Sequence, residues 1–204
     1  MLEGRHLTSV RDGRTLFEGL NLQLEAGRVL QVEGVNGAGK TTLLRILCGL
    51  TQPREGSVYW KGDDIRQCRT VYHENLLYIG HNPGIKLELT ALENLRFFHS
   101  LGGHDGAATA LEQALEQVGL YGYEESPVRT LSAGQRRRVA LARLWLSTAP
   151  LWVLDEPFTA IDRQGIRNLE TRLLHHIQAG GLVIITSHQA VRLDGCPVQQ
   201  LMLG

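Results

Sequence analysis

This sequence predicts an α/β fold: a mixed sheet with antiparallel strands at the N-terminal end, a parallel core and an inserted helical lobe. Three observations carry that expectation. The stretch Gly34-Val35-Asn36-Gly37-Ala38-Gly39-Lys40-Thr41-Thr42 reads G-x-x-x-x-G-K-T, between the apolar run Val29 to Glu33 and the helix-like run Thr41 to Leu50. Strand, glycine-rich turn and helix in that order are the context a phosphate-binding loop requires. Next, Leu151-Trp152-Val153-Leu154 and Leu182-Val183-Ile184-Ile185 are continuous apolar runs, as expected of strands covered on both faces. Between the loop and these runs, from Thr90, the apolar period turns helical. The reading is one domain over 1–204, with 1–80 and 148–204 as the core and about 83–147 as the helical lobe.

Taken in order, Glu3 to Glu25 reads as two strands joined by Asp12-Gly13, with Leu20, Leu22 and Leu24 alternating against Asn21, Gln23 and Glu25. Gly49 should close the helix after the glycine-rich loop. Arg54-Glu55-Gly56-Ser57 reads as a turn before a short strand at Val58-Tyr59-Trp60, and Leu76 to Ile79 as a buried strand. Thr90-Ala91-Leu92-Glu93 and Ser132-Ala133-Gly134-Gln135 are capping boxes. They open helices through Leu101 and Ser147, with another helix over Ala107 to Val118. Ile166, Leu169, Leu173, Leu174 and Ile177 space as one helical face, and Pro197 to Leu203 reads as a final edge strand.

Composition narrows the function classes. With 21 basic and 21 acidic residues the formal charge is zero, so a nucleic-acid partner held by bulk charge is not expected. No apolar run is long enough to span a bilayer, and Met1 to His6 lacks the pattern of a signal peptide. Cys48, Cys68 and Cys196 are odd in number and widely spaced, which reads as reduced thiols. Cys68 with His73, or His175 with His176, lack a metal-site frame and read as surface positions.

The chemistry begins at the loop. Its backbone N–H groups and the positive end of the following helix face an anion, and glycine permits the close approach. Lys40 should reach the β- and γ-phosphates of a nucleoside triphosphate, and the Thr41 hydroxyl should ligate Mg²⁺. Asp155 and Glu156 end a buried strand, where a parallel sheet presents ligands. Asp155 suits a metal contact, usually through a water, and Glu156 suits a general base for the attacking water. His188 follows the next apolar strand, and a neutral imidazole there could donate to the γ-phosphate. Ser132 to Gln135 forms a second anion-facing helix end. One triphosphate needs only one, so the second is assigned to a nucleotide held by another subunit.

In that order and spacing the residues resemble the ATP-binding cassette ATPases over essentially the whole chain. The phosphate loop is Gly34 to Thr42, the signature Leu131 to Gln135, and the Walker B strand with its catalytic glutamate Leu151 to Glu156. Thr159-Ala160-Ile161-Asp162 matches the D-loop and His188 the switch histidine. The resemblance implies ATP, Mg²⁺ and a head-to-tail homodimer, with Ser132, Ala133, Gly134 and Gln135 acting in trans. Three positions depart from it. Ala133 replaces a glycine, His81 stands where a glutamine is expected, and Arg11 aligns with the adenine-stacking aromatic. A guanidinium can stack on a base or simply stand on the surface.

Gly80 to Lys86, Leu89 to Leu95, Arg137 to Trp145 and Asp155 to Asp162 narrow the resemblance to the ATP-binding subunits of bacterial cytochrome c maturation. That implies a peripheral protein on the cytoplasmic face of the inner membrane, with integral membrane haem-exporter subunits as partners in the maturation complex. ATP hydrolysis would be coupled to haem export or to release of a haem-loaded periplasmic chaperone. The short stretch after His188 leaves no C-terminal regulatory domain to be expected. The alternative is a cassette ATPase serving a different cargo.

Overall fold

In a computed structural model describing residues 1–103, 108–187, 191, 193 and 195–204, the chain opens as an antiparallel hairpin of β1 (Leu2–Arg11) and β2 (Arg14–Leu24). Asp12 and Gly13 both take positive φ, 51° and 75°, the two-residue geometry that matches strand twist. In β2, Leu22 and Leu24 point into the core while Asn21 and Gln23 are exposed.

A four-stranded sheet forms in the order β2-β1-β4-β5, with β4 at Glu55–Trp60 and β5 at Asp63–Asp64. Here one expectation is corrected. Glu55, Gly56 and Ser57 belong to β4 rather than to a turn. The β1 register shifts between Arg5 and Thr8, His6 takes φ 52°, and Gly56 takes φ 89°. A Cβ on Gly56 would collide with the carbonyl oxygens of Arg5 and His6. The turn-like composition therefore marks a β-bulge with close backbone approach.

The second sheet has five strands in the order β6-β7-β8-β3-β9. These are β6 (Leu76–Ile79), β7 (Leu151–Asp155), β8 (Leu182–Thr186), β3 (Val29–Gly34) and β9 (Val198–Leu203). β3 pairs in parallel with β8 and β9, and β7 with β8. Every residue of β7 and β8 is buried, as continuous apolar runs require. The core of this unit joins Leu2, Leu7 and Leu24 to Leu30, Val153 and Ile184, with Leu43, Leu44 and Leu47 of α1 (Lys40–Leu47). The short α2 (Arg69–Glu74) carried no sequence signal; it buries Tyr72, whose hydroxyl donates to the Leu47 carbonyl at 2.5 Å.

Two units are separable: Met1–Tyr78 with Ala149–Glu156 and Leu174–Gly204, and Ile79–Thr148 with Pro157–Leu173. The second is helical. Thr90 caps α3 (Ala91–Leu101) through a reciprocal box with Glu93, and α3 packs with α4 (Ala108–Gln117) and α5 (Ala133–Leu146). Asn94 is fully buried; its amide donates to the Lys86 and Thr90 carbonyls at 2.9 Å and accepts the Lys86 N–H at 2.7 Å, which holds the entry loop of the unit. α6 (Arg163–Gln178) contributes Leu169 and Leu173 to the buried side chains. Among the described residues no helix is long and apolar enough to cross a membrane.

Candidate active site

Parallel pairing lines up three strand ends. Asp155 sits opposite Thr186, and Thr186 sits opposite Val32, two residues before β3 ends at Gly34. The glycine-rich loop leaves this edge at once. Gly34 takes φ 146°, and a Cβ there would collide with the Leu203 carbonyl, so the loop's entry requires glycine. Gly39 takes φ 98° and is the N-cap of α1, with no side-chain hydrogen bond closing the helix end. Asn36 and Gly37 are exposed and Ala38 is buried, its N–H donating to the Val35 carbonyl at 3.1 Å. Thr42 lies in the first turn of α1.

Lys40 is buried, and its Nζ donates to the Gly34 and Val35 carbonyls at 2.7 and 3.3 Å. The Thr41 hydroxyl donates to Asp155 Oδ2 at 2.8 Å. Asp155 is 2% exposed, and its Oδ1 accepts the Thr186 hydroxyl at 2.7 Å. Thr186 in turn accepts the Glu156 N–H at 2.8 Å, and Glu156 stands in the left-handed region at φ 51°. A carboxylate and a hydroxyl meeting at one point are hard oxygen donors, the set that suits Mg²⁺. An uncapped helix N-terminus beside a lysine can hold an anion.

In the helical unit Ser132 is the N-cap of α5. Its Oγ accepts the Gln135 N–H at 3.2 Å, and Gln135 Oε1 accepts the Ser132 N–H at 2.9 Å. Ala133 is exposed at the first helical position. Gly134 lies against the D-loop of its own chain, where a Cβ would collide with the carbonyl oxygen of Ala160, itself at φ 60°. Asp162 accepts the Gly165 N–H at 2.8 Å and approaches Arg138 at 3.8 Å. Ser132 to Gln135 and the D-loop are thus one packed assembly. Buried Arg137 donates to the Gly80 carbonyl at 2.6 Å, which fixes the backbone next to His81. The His81 side chain is exposed.

Arg11 ends β1 beside the Asp12-Gly13 turn, with a 74% exposed side chain 3.6 Å from Asp12. His188 lies outside the described residues. Cys48, Cys68 and Cys196 are free thiols, and burial pushes that of Cys48 up. Sequence reasoning missed Thr186, whose only signal is a hydroxyl ending an otherwise apolar buried run. It also missed Arg137 and the packing of Gly134 on Ala160.

The ABC transporter family profile matches residues 17–159. The cytochrome c biogenesis ATP-binding export protein CcmA of Escherichia coli (strain K12) is 54% identical over 203 residues, covering 100% of this chain and 96% of that protein. A solved ATP-binding subunit of an ABC transporter superposes with a TM-score of 0.87 at 26% identity, over 100% of this chain and 85% of its own. A dimeric ATP-binding cassette in a post-hydrolysis state, bound to ADP and Pi, gives a TM-score of 0.82 at 23% identity, over 93% and 88%. At that identity the last likeness concerns the fold alone.

Proposed function

The chain belongs to the ABC transporter family, and from that premise we propose that it is the ATP-hydrolysing subunit of a cytochrome c biogenesis exporter. The observation that carries this reading is the 54% identity to the CcmA protein, which runs the full length of the chain.

The site supports an in-line attack of water on the γ-phosphate. The loop Gly34 to Thr42 and the open end of α1 receive the phosphates. Lys40 exchanges the Gly34 and Val35 carbonyls for β- and γ-phosphate oxygens. Thr41 and Asp155 would hold Mg²⁺, which would supply neutralisation of the phosphate charge. Glu156 accepts the proton of the attacking water, and His188 donates to the γ-phosphate. Arg11 flanks the base, and His81 takes the loop position of the usual glutamine.

Two subunits act head to tail as a homodimer. Ser132, Ala133, Gly134 and Gln135 of one then face the nucleotide of the other, with Asp162 in the adjoining D-loop. Integral membrane haem-exporter subunits of the cytochrome c maturation complex would receive the opening and closing of the dimer at the cytoplasmic face of the inner membrane. Their work would be haem export or release of the haem-loaded periplasmic chaperone.

The test is covalent haem staining of c-type cytochromes in cells carrying Lys40→Ala in place of the native protein, with a parallel blot for haem on the chaperone. Loss of c-type cytochromes with a haem-loaded chaperone is expected. Normal c-type cytochromes would leave the chain an ABC ATPase of a different cargo.

A further inference from the structure

We propose that Thr186 is a positioning residue for hydrolysis, setting the Asp155 carboxylate and the Glu156 backbone with one hydroxyl. The inference rests on the ATPase reading above and adds a residue to it.

Thr186 is fully buried at the end of a strand whose other members are Leu182, Val183, Ile184 and Ile185. A hydroxyl there is costly unless both its donor and its acceptor capacity are used. Both are used, on Asp155 at the end of β7 and on Glu156 next to it. The Glu156 N–H can only donate, so the hydroxyl must be the acceptor of that 2.8 Å bond. Its single hydrogen is then committed to Asp155 Oδ1 at 2.7 Å. Direction follows from the donor inventory, without a choice of rotamer.

Two consequences follow. With Oδ1 occupied, the carboxylate is fixed so that Oδ2 faces Thr41, 2.8 Å from its hydroxyl. The oxygen offered to the cation is therefore selected from β8. The second consequence concerns Glu156, which holds φ 51° without being glycine. Such a conformation persists only where the surroundings over-determine it. The bond from its N–H to Thr186 is one such constraint, and the turn it holds sets where the glutamate side chain departs. Register explains why one residue can do both: Thr186 stands directly opposite Asp155, with Glu156 next in the chain.

The experiment compares Thr186→Val, which keeps shape and loses both bonds, with Thr186→Ser, which keeps both. We expect Thr186→Val to lower kcat by about 10- to 100-fold, the scale of a misplaced catalytic group. ATP affinity without Mg²⁺ should stay within about twofold, while Mg²⁺ tightens ATP binding less than in the parent, since one metal contact is no longer oriented. Thr186→Ser should stay within about threefold of the parent in kcat. The Glu156 amide should exchange its hydrogen at least about tenfold faster in Thr186→Val than in the parent.

A Thr186→Val protein that turns over at the parental rate overturns the proposal, as does Thr186→Ser falling as far as Thr186→Val. A joint fall in kcat and metal-free ATP affinity also overturns it, because that is general damage. Should Thr186→Val fail to fold, Thr186→Ser and the parental Glu156 amide decide: retained turnover with a protected amide supports the role, and exchange at the open-loop rate overturns it. Parent protein that does not hydrolyse ATP overturns the ATPase reading itself. That outcome is distinct from an active parent with an indifferent Thr186.

Discussion

The first turn of α1 and the first turn of α5 start from similar materials and end differently. Each carries a glycine at its N-terminal end, Gly39 as the N-cap of α1 and Gly134 in the first turn of α5, and each presents a hydroxyl there. At α1 the N-cap is Gly39 at φ 98°, which has no side chain to offer, and the next residue is the buried Lys40. At α5 the N-cap is Ser132, and a complete capping box with Gln135 closes part of the helix end from within. A helix N-terminus carries N–H groups that need partners. In α1 the N-cap has no side chain to supply a partner, an arrangement that would suit a phosphate. In α5 the end is kept in order by its own residues and can meet a phosphate brought from elsewhere. On the proposed function, the difference would separate the end that provides affinity from the end that provides a condition.

Removing the lysine breaks the comparison on the α1 side and should have the largest effect. Lys40→Ala should weaken ATP binding by roughly 10- to 100-fold, the equivalent of about 1.5–3 kcal/mol for a charge-assisted hydrogen bond, and hydrolysis should fall with it. Equilibrium binding of a fluorescent ATP analogue to the isolated subunit checks this. An unchanged affinity would mean the α1 end is not the principal phosphate site.

Next in size is Ser132→Arg, which puts a bulky cation at the α5 end. Hydrolysis should be lost, while ATP affinity of the monomeric subunit stays within about twofold. If affinity falls as well, Ser132 acts in its own subunit and the in-trans assignment fails. Paired titrations and phosphate-release assays on one preparation separate the two outcomes.

Why these ends were legible in the sequence, when other features were not, follows from the range of the interactions involved. A glycine-rich loop, a lysine and a capping box are local, and their spacing carries their meaning over a few residues. The buried runs at Leu151 and Leu182 are likewise local, and they became the central strands. Gly56 was misread because its neighbours look like a turn, whereas the extra residue is absorbed by β1, which pairs Arg5 with Ser57 from 52 positions earlier in the chain. α2 has only six residues, too few for an apolar period. Thr186 works through bonds to residues about thirty positions earlier, with separations of 31 and 30. No pattern along the chain encodes such a contact.

Gly134 belongs to the same long-range class, and substituting it sharpens the comparison further. Gly134→Ala adds a Cβ that collides with the Ala160 carbonyl, so the D-loop must shift. Backbone rather than a flexible side chain has to give, and a small misplacement at a reacting centre is costly. Hydrolysis should fall by about tenfold with monomer ATP affinity unchanged. Gly37, on the other side of the comparison, has open space around its Cβ position but takes φ 85°. Gly37→Ala should therefore act through backbone strain in the phosphate loop and lower affinity as well as turnover.

The smallest effect is the most discriminating. Thr90 and Ser132 are N-caps of the same kind, in the same helical unit, each in a reciprocal box with the residue three positions on. As caps they are equivalent: Thr90 Oγ1 accepts the Glu93 N–H at 3.1 Å, and Ser132 Oγ accepts the Gln135 N–H at 3.2 Å. Thr90→Ala and Ser132→Ala should each cost about 1 kcal/mol, lowering Tm by roughly 2–4 °C in a chain of this size. If capping were the whole role of Ser132, the two variants would hydrolyse ATP equally well. A hydroxyl that also meets the partner's nucleotide makes Ser132→Ala slower by about three- to tenfold at matched stability, and Thr90→Ala serves as its internal control. Equal turnover in the two would reduce Ser132 to a structural cap, and the condition set at the α5 end would then rest on Gly134 and the backbone alone.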